Sequence, residues 1–394
     1  MSRPVLTDHA VRHLLTRHAR HGIDVRRAHV VADLTPGLSS AAIVRVDLGG
    51  ETAWGRTVVL KAYGPATGAD DFRQDTPEAL REAAVYRTGI VEQLTARITT
   101  PALRAADTSE DGVHLWLEDV ADHLTTVWTT ETAAQAITAI SQLHTARHPA
   151  LETELPEETE EFDAFRHHVP AALALVAADQ DTRSAGTPVL TAADARLGIL
   201  LLGRAADFAK ELRDAPAVFQ HGDFHIDNAG RLPDGRFLLI DWAQAGRAPV
   251  GADIAVFLSN YRARGGHSGT LTQHGFDAEM TDVYCEGLRA GGADEALVRT
   301  ARRVIDLWAV SWAVQVRLGP GLAAASDPRL PEGTREGIAR DIREGLARAR
   351  TAAERLRIAV DDIPADGTAV DAAAANSELS TDPGTSAGGH ESED

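Results

Sequence analysis

VFQHGDFHIDNAGRLPDGRFLLIDW, residues 218 to 242, is a short β-rich island in a region that otherwise reads as helix. A strand ending near Gln220 runs into a loop, and Pro233, Asp234 and Gly235 form a tight turn between two short strands. Asp223 sits just past the first strand, Asn228 follows five residues later, and Asp241 ends the next strand, LLID. One loop thus presents a carboxylate and an amide oxygen together, and the hairpin returns a second carboxylate beside them. Such oxygens are the hard ligands that magnesium prefers, and a carboxylate beside them can accept a proton.

Working outward toward the N-terminus, AHVVADL (28–34), AAIVRVDL (41–48) and RTVVLKAY (56–63) have strand patterning. The connections TPGLSS and GGETAWG make them an antiparallel meander. TPEALREAAVYRTGIVEQL, from Thr76 with Pro77 at the first helical position, predicts a helix, and further strands are expected near 102–106 and 113–118. Beyond that the helical signal dominates, at 129–147 and near 163–178, 191–213, 279–291, 294–318 and 333–357. The expectation is an α+β, bilobal fold: an N-terminal helix within 1–27, a small antiparallel sheet with one helix over 28–120, and a larger mainly α-helical lobe over 121–360. Residues 361–394 are rich in Ala, Ser, Gly, Thr and acids without apolar periodicity, so a disordered acidic tail is expected there.

Composition excludes several classes. The chain carries 39 Lys and Arg against 58 Asp and Glu, a net charge of −19, which repels nucleic acid and anionic membrane surfaces. The one cysteine, Cys285, is unable to form an intrachain disulfide, and the opening MSRPVLTDHAVRHLL has no apolar signal core. The longest apolar stretch, around 199–202, is far too short for a bilayer, and a cytoplasmic location is expected. His9, His13, His18 and His21 recur along the first helix, but no carboxylate or thiol accompanies them, so they read as a solvated face.

The pattern His221-Gly222-Asp223-x-His225-x-x-Asn228 followed by Ile240-Asp241-Trp242 resembles the aminoglycoside phosphotransferase and choline kinase group of protein-kinase-like enzymes. The resemblance implies an ATP-dependent kinase of a small-molecule acceptor such as an aminoglycoside, another antibiotic or an amino sugar. It implies Asp223 as catalytic base, Mg2+ on Asn228 and Asp241, His221 bracing the loop, and His225 near the phosphates or the acceptor unless its role is purely structural. Lys61, ending the strand TVVLK, and Glu82 in the following helix fit the family's phosphate-holding pair. The turn with Gly37, Ser39 and Ser40 resembles the loop that covers the nucleotide, and HLWLEDV resembles the interlobe hinge, with backbone near Glu118 to Val120 meeting the adenine edge. His144 and Asp253 look like supports of the catalytic loops, Asp253 either capping its helix or bonding loop amides. No Gly-x-x-x-x-Gly-Lys is present, which argues against a P-loop kinase. Other readings are transfer to a peptide Ser or Thr hydroxyl in a tailoring pathway, a catalytically silent binding protein, and a metal-dependent hydrolase built on His221, Asp223 and His225.

Overall fold

The computed structural model describes residues 6–34, 41–63, 78–109, 112–147, 160–181 and 189–358. Gly37, Ser39, Ser40, Thr76, Pro77 and the acidic segment 361–394 lie outside the described residues. The chain divides into two compact units, Met1–Glu158 with Pro216–Ala301, and Thr159–Ala215 with Arg302–Asp394.

The first unit opens with helix α1 (Asp8–Leu15), capped by the Thr7 hydroxyl, which accepts from the Ala10 N–H at 3.3 Å. Strands β1 (His29–Asp33), β2 (Ala41–Thr52) and β3 (Gly55–Tyr63) follow as the expected meander. After helices α2 (Glu78–Thr88) and α3 (Ile90–Leu94) come β4 (Ile98–Thr99), β5 (Leu103–Ser109) and β6 (Gly112–Glu118). The main sheet has the order β1-β2-β3-β6-β5 and every pairing in it is antiparallel.

A period of two along the strands decides which face is core. Val44, Val46 and Leu48 of β2 and Val58 and Leu60 of β3 pack with Val11, Leu14 and Leu15 of α1 and with Trp54 and Trp116. Lys61 lies on the other face, in register with Ile43 on β2 and Leu115 on β6. α1 is tied to the sheet by the Asp8 carboxylate, which accepts from Val30 N–H at 2.8 Å, and by Arg12 Nε, which donates to the Ala28 carbonyl at 2.7 Å.

The N-terminal helix expected within 1–27 tightens into a 3-10 turn at Thr16–His21, and His18 departs from the expected solvated face. It is buried, 2.7 Å from Asp107 Oδ2, with its ring 5.0 Å from that of Trp54. The helix expected over 76–94 is likewise two pieces. Gly89 separates them with φ +57, a left-handed conformation that ends α2.

Helix α4 (Thr130–Thr145) is capped by Thr129 and packs closely on the helix Gln273–Ala290. A Cβ built on Gly287 would lie 2.0 Å from the Ser141 hydroxyl, so a small residue sets the approach of the two helices. The quoted island forms β7 (Ala217–Gln220), β8 (Ala229–Arg231) and β9 (Phe237–Leu239), with β8 and β9 antiparallel as expected. Two partners were not expected: β10 (Gly246–Pro249) pairs antiparallel with β7, and β4 pairs parallel with β9. The helix Ala252–Asn260 then follows.

In the second unit the described elements are helices, among them Glu160–Asp181, Ala192–Gly203, Ala205–Asp214, Gly319–Ala325 and Glu332–Arg355. The helix expected over 191–213 breaks at Arg204, and the one expected over 294–318 gives way to a π turn at Ala313–Leu318. Asp179 accepts the backbone N–H groups of Val189 and Leu190 at 2.8 and 3.1 Å, and Arg355 donates to the buried Asp306 at 2.9 Å. Among the described residues no helix is long and apolar enough to cross a membrane. The chain is α+β, an antiparallel sheet ahead of a mainly helical remainder.

Candidate active site

All the described site residues belong to the first compact unit. The backbone of the loop after β7 is held from below by Asp253. This residue lies in the first turn of the helix Ala252–Asn260, but Gly251 is the N-cap and the carboxylate does not cap the helix. Its Oδ2 accepts from His221 N–H at 2.9 Å and its Oδ1 from Gly222 N–H at 2.8 Å. His144 Nε2 lies 3.1 Å from Oδ2, and the other ring nitrogen lies 2.6 Å from the Tyr284 hydroxyl. Burial would raise the Asp253 pKa, but the His144 hydrogen bond and the charges of His144 and His221 outweigh it and hold the carboxyl below its ordinary value.

The loop is also shaped by close approach. Gly222 has φ +85, and a Cβ there would lie 2.1 Å from the Gln244 carbonyl, so only glycine fits. The His221 ring spans to the β9 side: Nε2 lies 2.8 Å from the Ile240 carbonyl while Nδ1 accepts from Asp223 N–H at 3.2 Å. Both ring nitrogens are thereby engaged with backbone. The ring also packs on Trp242, centroids 4.5 Å apart.

Asp223 projects from this loop with its side chain 41% exposed. Asn228 Nδ2 donates to its carbonyl and to Oδ2, both at 3.0 Å, and His225 Nε2 lies 3.3 Å from Oδ2. Burial pushes the carboxyl up, but the His225 hydrogen bond, then the charges of His225, His221 and Arg264, bring it below its ordinary value. His225 is buried, and its Nδ1 accepts from Asp227 N–H at 3.3 Å. Asp227 itself is paired with Arg264.

Asp241 lies two residues beyond the end of β9, in a left-handed conformation with φ +62 that a non-glycine residue rarely adopts. This turn points its carboxylate at the sheet, where Oδ1 accepts from Lys61 Nζ at 2.8 Å across 180 residues of sequence. Lys61 is also 2.8 Å from Glu82 Oε2 and 3.0 Å from Oε1. Burial opposes the Lys61 charge, yet Glu82 and then Asp241 overcome it and hold the amine protonated far above its ordinary pKa.

Glu82 is 0% exposed and has further donors that the sequence reading did not include. The Tyr63 hydroxyl donates to Oε2 at 2.5 Å, the Tyr86 hydroxyl to Oε1 at 3.2 Å, and the Trp242 N–H to Oε1 at 3.3 Å. A signal for the tyrosines was available: Tyr63 follows Lys61 by two on a strand, and Tyr86 follows Glu82 by four on a helix. Tyr284 had none, being a tyrosine on an amphipathic helix.

At the end of β6, Glu118 turns its carboxylate toward Ala102 N–H, 3.1 Å away, and spends its own N–H on the Ala102 carbonyl at 2.9 Å. The Val120 carbonyl accepts from His123 N–H at 2.9 Å, while the Val120 N–H makes no hydrogen bond among the described residues. Also among the described residues, no group of three or more His, Cys, Asp or Glu is placed to hold a metal ion.

A strand lysine with its helical glutamate, joined to a hairpin carrying Asp223, Asn228 and Asp241, on an antiparallel sheet followed by helices, defines a kinase-like phosphotransferase. Residues 74–292 match the model of the phosphotransferase enzyme family, more than half of the chain, and the protein belongs to that family. It is therefore a phosphotransferase. The match begins after β3, so Lys61 lies outside it, while solved structures are similar over a larger share of the chain. The spectinomycin phosphotransferase APH(9)-Ia, in complex with ADP and spectinomycin, is similar over 89% of this chain and 100% of its own, with 13% identity and a TM-score of 0.53. The amicoumacin kinase hAmiN, in complex with AMP-PNP, Ca2+ and amicoumacin, is similar over 85% of this chain and 93% of its own, with 13% identity and a TM-score of 0.52. At these identities the likeness carries the fold. No curated protein sequence matches significantly.

Proposed function

We propose that the protein moves the γ-phosphate of ATP to a hydroxyl of a small molecule such as an aminoglycoside, another antibiotic or an amino sugar. The observation that carries this reading is the single chain of contacts Glu82–Lys61–Asp241, which joins strand, helix and catalytic hairpin. Phosphoryl transfer needs a cation on the phosphates, a metal held against them and a group that receives the acceptor's proton. Lys61, oriented by Glu82, is the cation. Asp223 is the base: its lowered pKa leaves it ionised at neutral pH, and its part-exposed side chain leaves room for a hydroxyl beside it. Asn228 and His225 hold that carboxylate in place through Oδ2.

The residues fit a magnesium ion. Asn228 commits its Nδ2 to Asp223, which leaves Oδ1 as the end of the amide open to a cation. Asp241 binds Lys61 through Oδ1, leaving Oδ2 as a hard anionic donor. A magnesium ion held by Asn228 and Asp241 would supply positive charge against the phosphates. The Val120 N–H beyond β6, unpaired among the described residues, suits an acceptor nitrogen on adenine. A hydrolase centred on His221, Asp223 and His225 is disfavoured, because His221 commits both ring nitrogens to backbone. The solved structures of similar fold that hold ADP or AMP-PNP support the nucleotide half of the reading.

The test is a panel of acceptors incubated with purified protein, ATP and magnesium, read by mass. Addition of one phosphate to a single compound class is the expected result. Transfer to a peptide serine or threonine alone would replace the small-molecule reading, and turnover unchanged in Asp223→Ala would remove the base.

A further inference from the structure

We propose that the hydroxyls of Tyr63 and Tyr86 are positioning groups that fix Glu82 and share its negative charge, so that Lys61 stays available to the phosphates of the nucleotide. The inference rests on the reading of Lys61 as the phosphate-holding cation.

The geometry is a carboxylate with four donor groups around it. Lys61 contacts both oxygens, Tyr63 takes Oε2 at 2.5 Å, and Tyr86 and the Trp242 N–H take Oε1 at 3.2 and 3.3 Å. These donors fill the acceptor capacity of a carboxylate, about four lone-pair sites, and allow it one orientation. Tyr63 shares β3 with Lys61 and repeats its bridge to the helix, while Tyr86 reaches Glu82 from one turn further along α2. The Lys61 ammonium also lies 5.7 Å from the centroid of the Tyr63 ring.

Alone, a buried lysine and a buried glutamate attract each other strongly, and that attraction competes with any phosphate for the ammonium. Hydrogen bonds from two phenols draw charge from the carboxylate and weaken the competition. Burial and then the Glu82 charge raise the Tyr86 pKa well above its ordinary value, so its hydroxyl keeps its proton and stays a donor. In this arrangement Lys61 already divides itself between Glu82 and Asp241, the residue assigned to the metal. Without the phenols, Lys61 closes on Glu82 or Glu82 leaves its place, and the nucleotide is gripped less tightly in both cases.

The experiment is calorimetric titration of AMP-PNP with magnesium into the wild type, Tyr63→Phe, Tyr86→Phe, Glu82→Gln and the two double variants. Each single Tyr→Phe change removes one oxygen and keeps the ring, and thermal unfolding of every variant checks the fold. Each is expected to weaken nucleotide binding about tenfold, the scale of one hydrogen bond to a charged group. In the Glu82→Gln background the same change is expected to cost less than about twofold, because the charge it serves is gone. Equal losses in both backgrounds would reduce the tyrosines to packing and overturn the inference. So would wild-type affinity in both single variants. A wild type that binds no AMP-PNP would instead sink the assignment of Lys61 itself, and this inference with it.

Discussion

Asp223 is the residue proposed as the base, and its neighbours decide how it titrates. Its pKa is lowered, so it is ionised and able to accept a proton at any pH above that lowered value, and is lost as a base only as pH falls through it. His225 is the largest contributor to the lowering. Replacing His225 with Gln therefore raises the Asp223 pKa, and the acid limb of the kcat/KM profile is expected to move to higher pH. An acid limb that stays put in the pH–rate profile would separate His225 from the base. Asp223→Ala is expected to keep magnesium-nucleotide binding and lose transfer by at least the 10² to 10⁴-fold typical of a general base, as roughly judged by initial rates. At this scale the contacts were legible in the sequence, because Asp223, His225 and Asn228 lie within one loop and their spacing is their geometry. Tyr63 and Tyr86 were less so: their spacing from Lys61 and Glu82 was a signal, but a tyrosine near a strand end or on a helix otherwise reads as core, and the buried Glu82 between them decides it.

At the scale of elements, the catalytic loop depends on a carboxylate from a helix that does no chemistry. Asp253 is buried and accepts two loop amides besides its contact with His144. Asp253→Ala strands those donors and is expected to cost about 3 kcal/mol of stability, measured by denaturant unfolding. Its lowered pKa means this support is complete above the ordinary carboxylate pKa and is lost as pH falls through the lowered one, so acid unfolding is expected to begin at this loop. Gly222→Ala combines a forbidden φ with a clash on the Gln244 carbonyl and is expected to abolish activity before it abolishes folding, a comparison that circular dichroism and turnover together provide. The sequence offered two roles for Asp253, cap or loop support, and the choice needed the third dimension: Gly251 occupies the cap position, which frees the carboxylate. Strand periods and helix caps were legible in the same way. The interruptions at Gly89 and Arg204 were not, since the apolar pattern continues through both.

For the whole molecule, ligand binding is expected to appear as stability. A ligand at a hundred times its Kd adds about 2.7 kcal/mol to the folded state, so magnesium with AMP-PNP is expected to raise Tm by several degrees. EDTA should remove the part of that rise due to the metal, and Asp241→Ala should show little difference with or without EDTA in differential scanning calorimetry. The α+β architecture followed from the sequence because its strands and helices have separate periods and lie in separate stretches. The acceptor did not, since the segments outside the family pattern carry no motif whose residue types name a substrate.

The two-residue parallel pairing of β4 with β9 has a consequence for how the protein assembles. The hairpin that carries Asp241 looks local, yet its fastenings are remote: Phe237 N–H donates to the Arg97 carbonyl at 2.8 Å, and the start of its loop hangs on Asp253. Closing those long loops costs chain entropy before either fastening repays it. The candidate site is thus expected to be among the last parts to acquire its shape during folding, its loop amides gaining hydrogen-exchange protection only once the helix Ala252–Asn260 has docked.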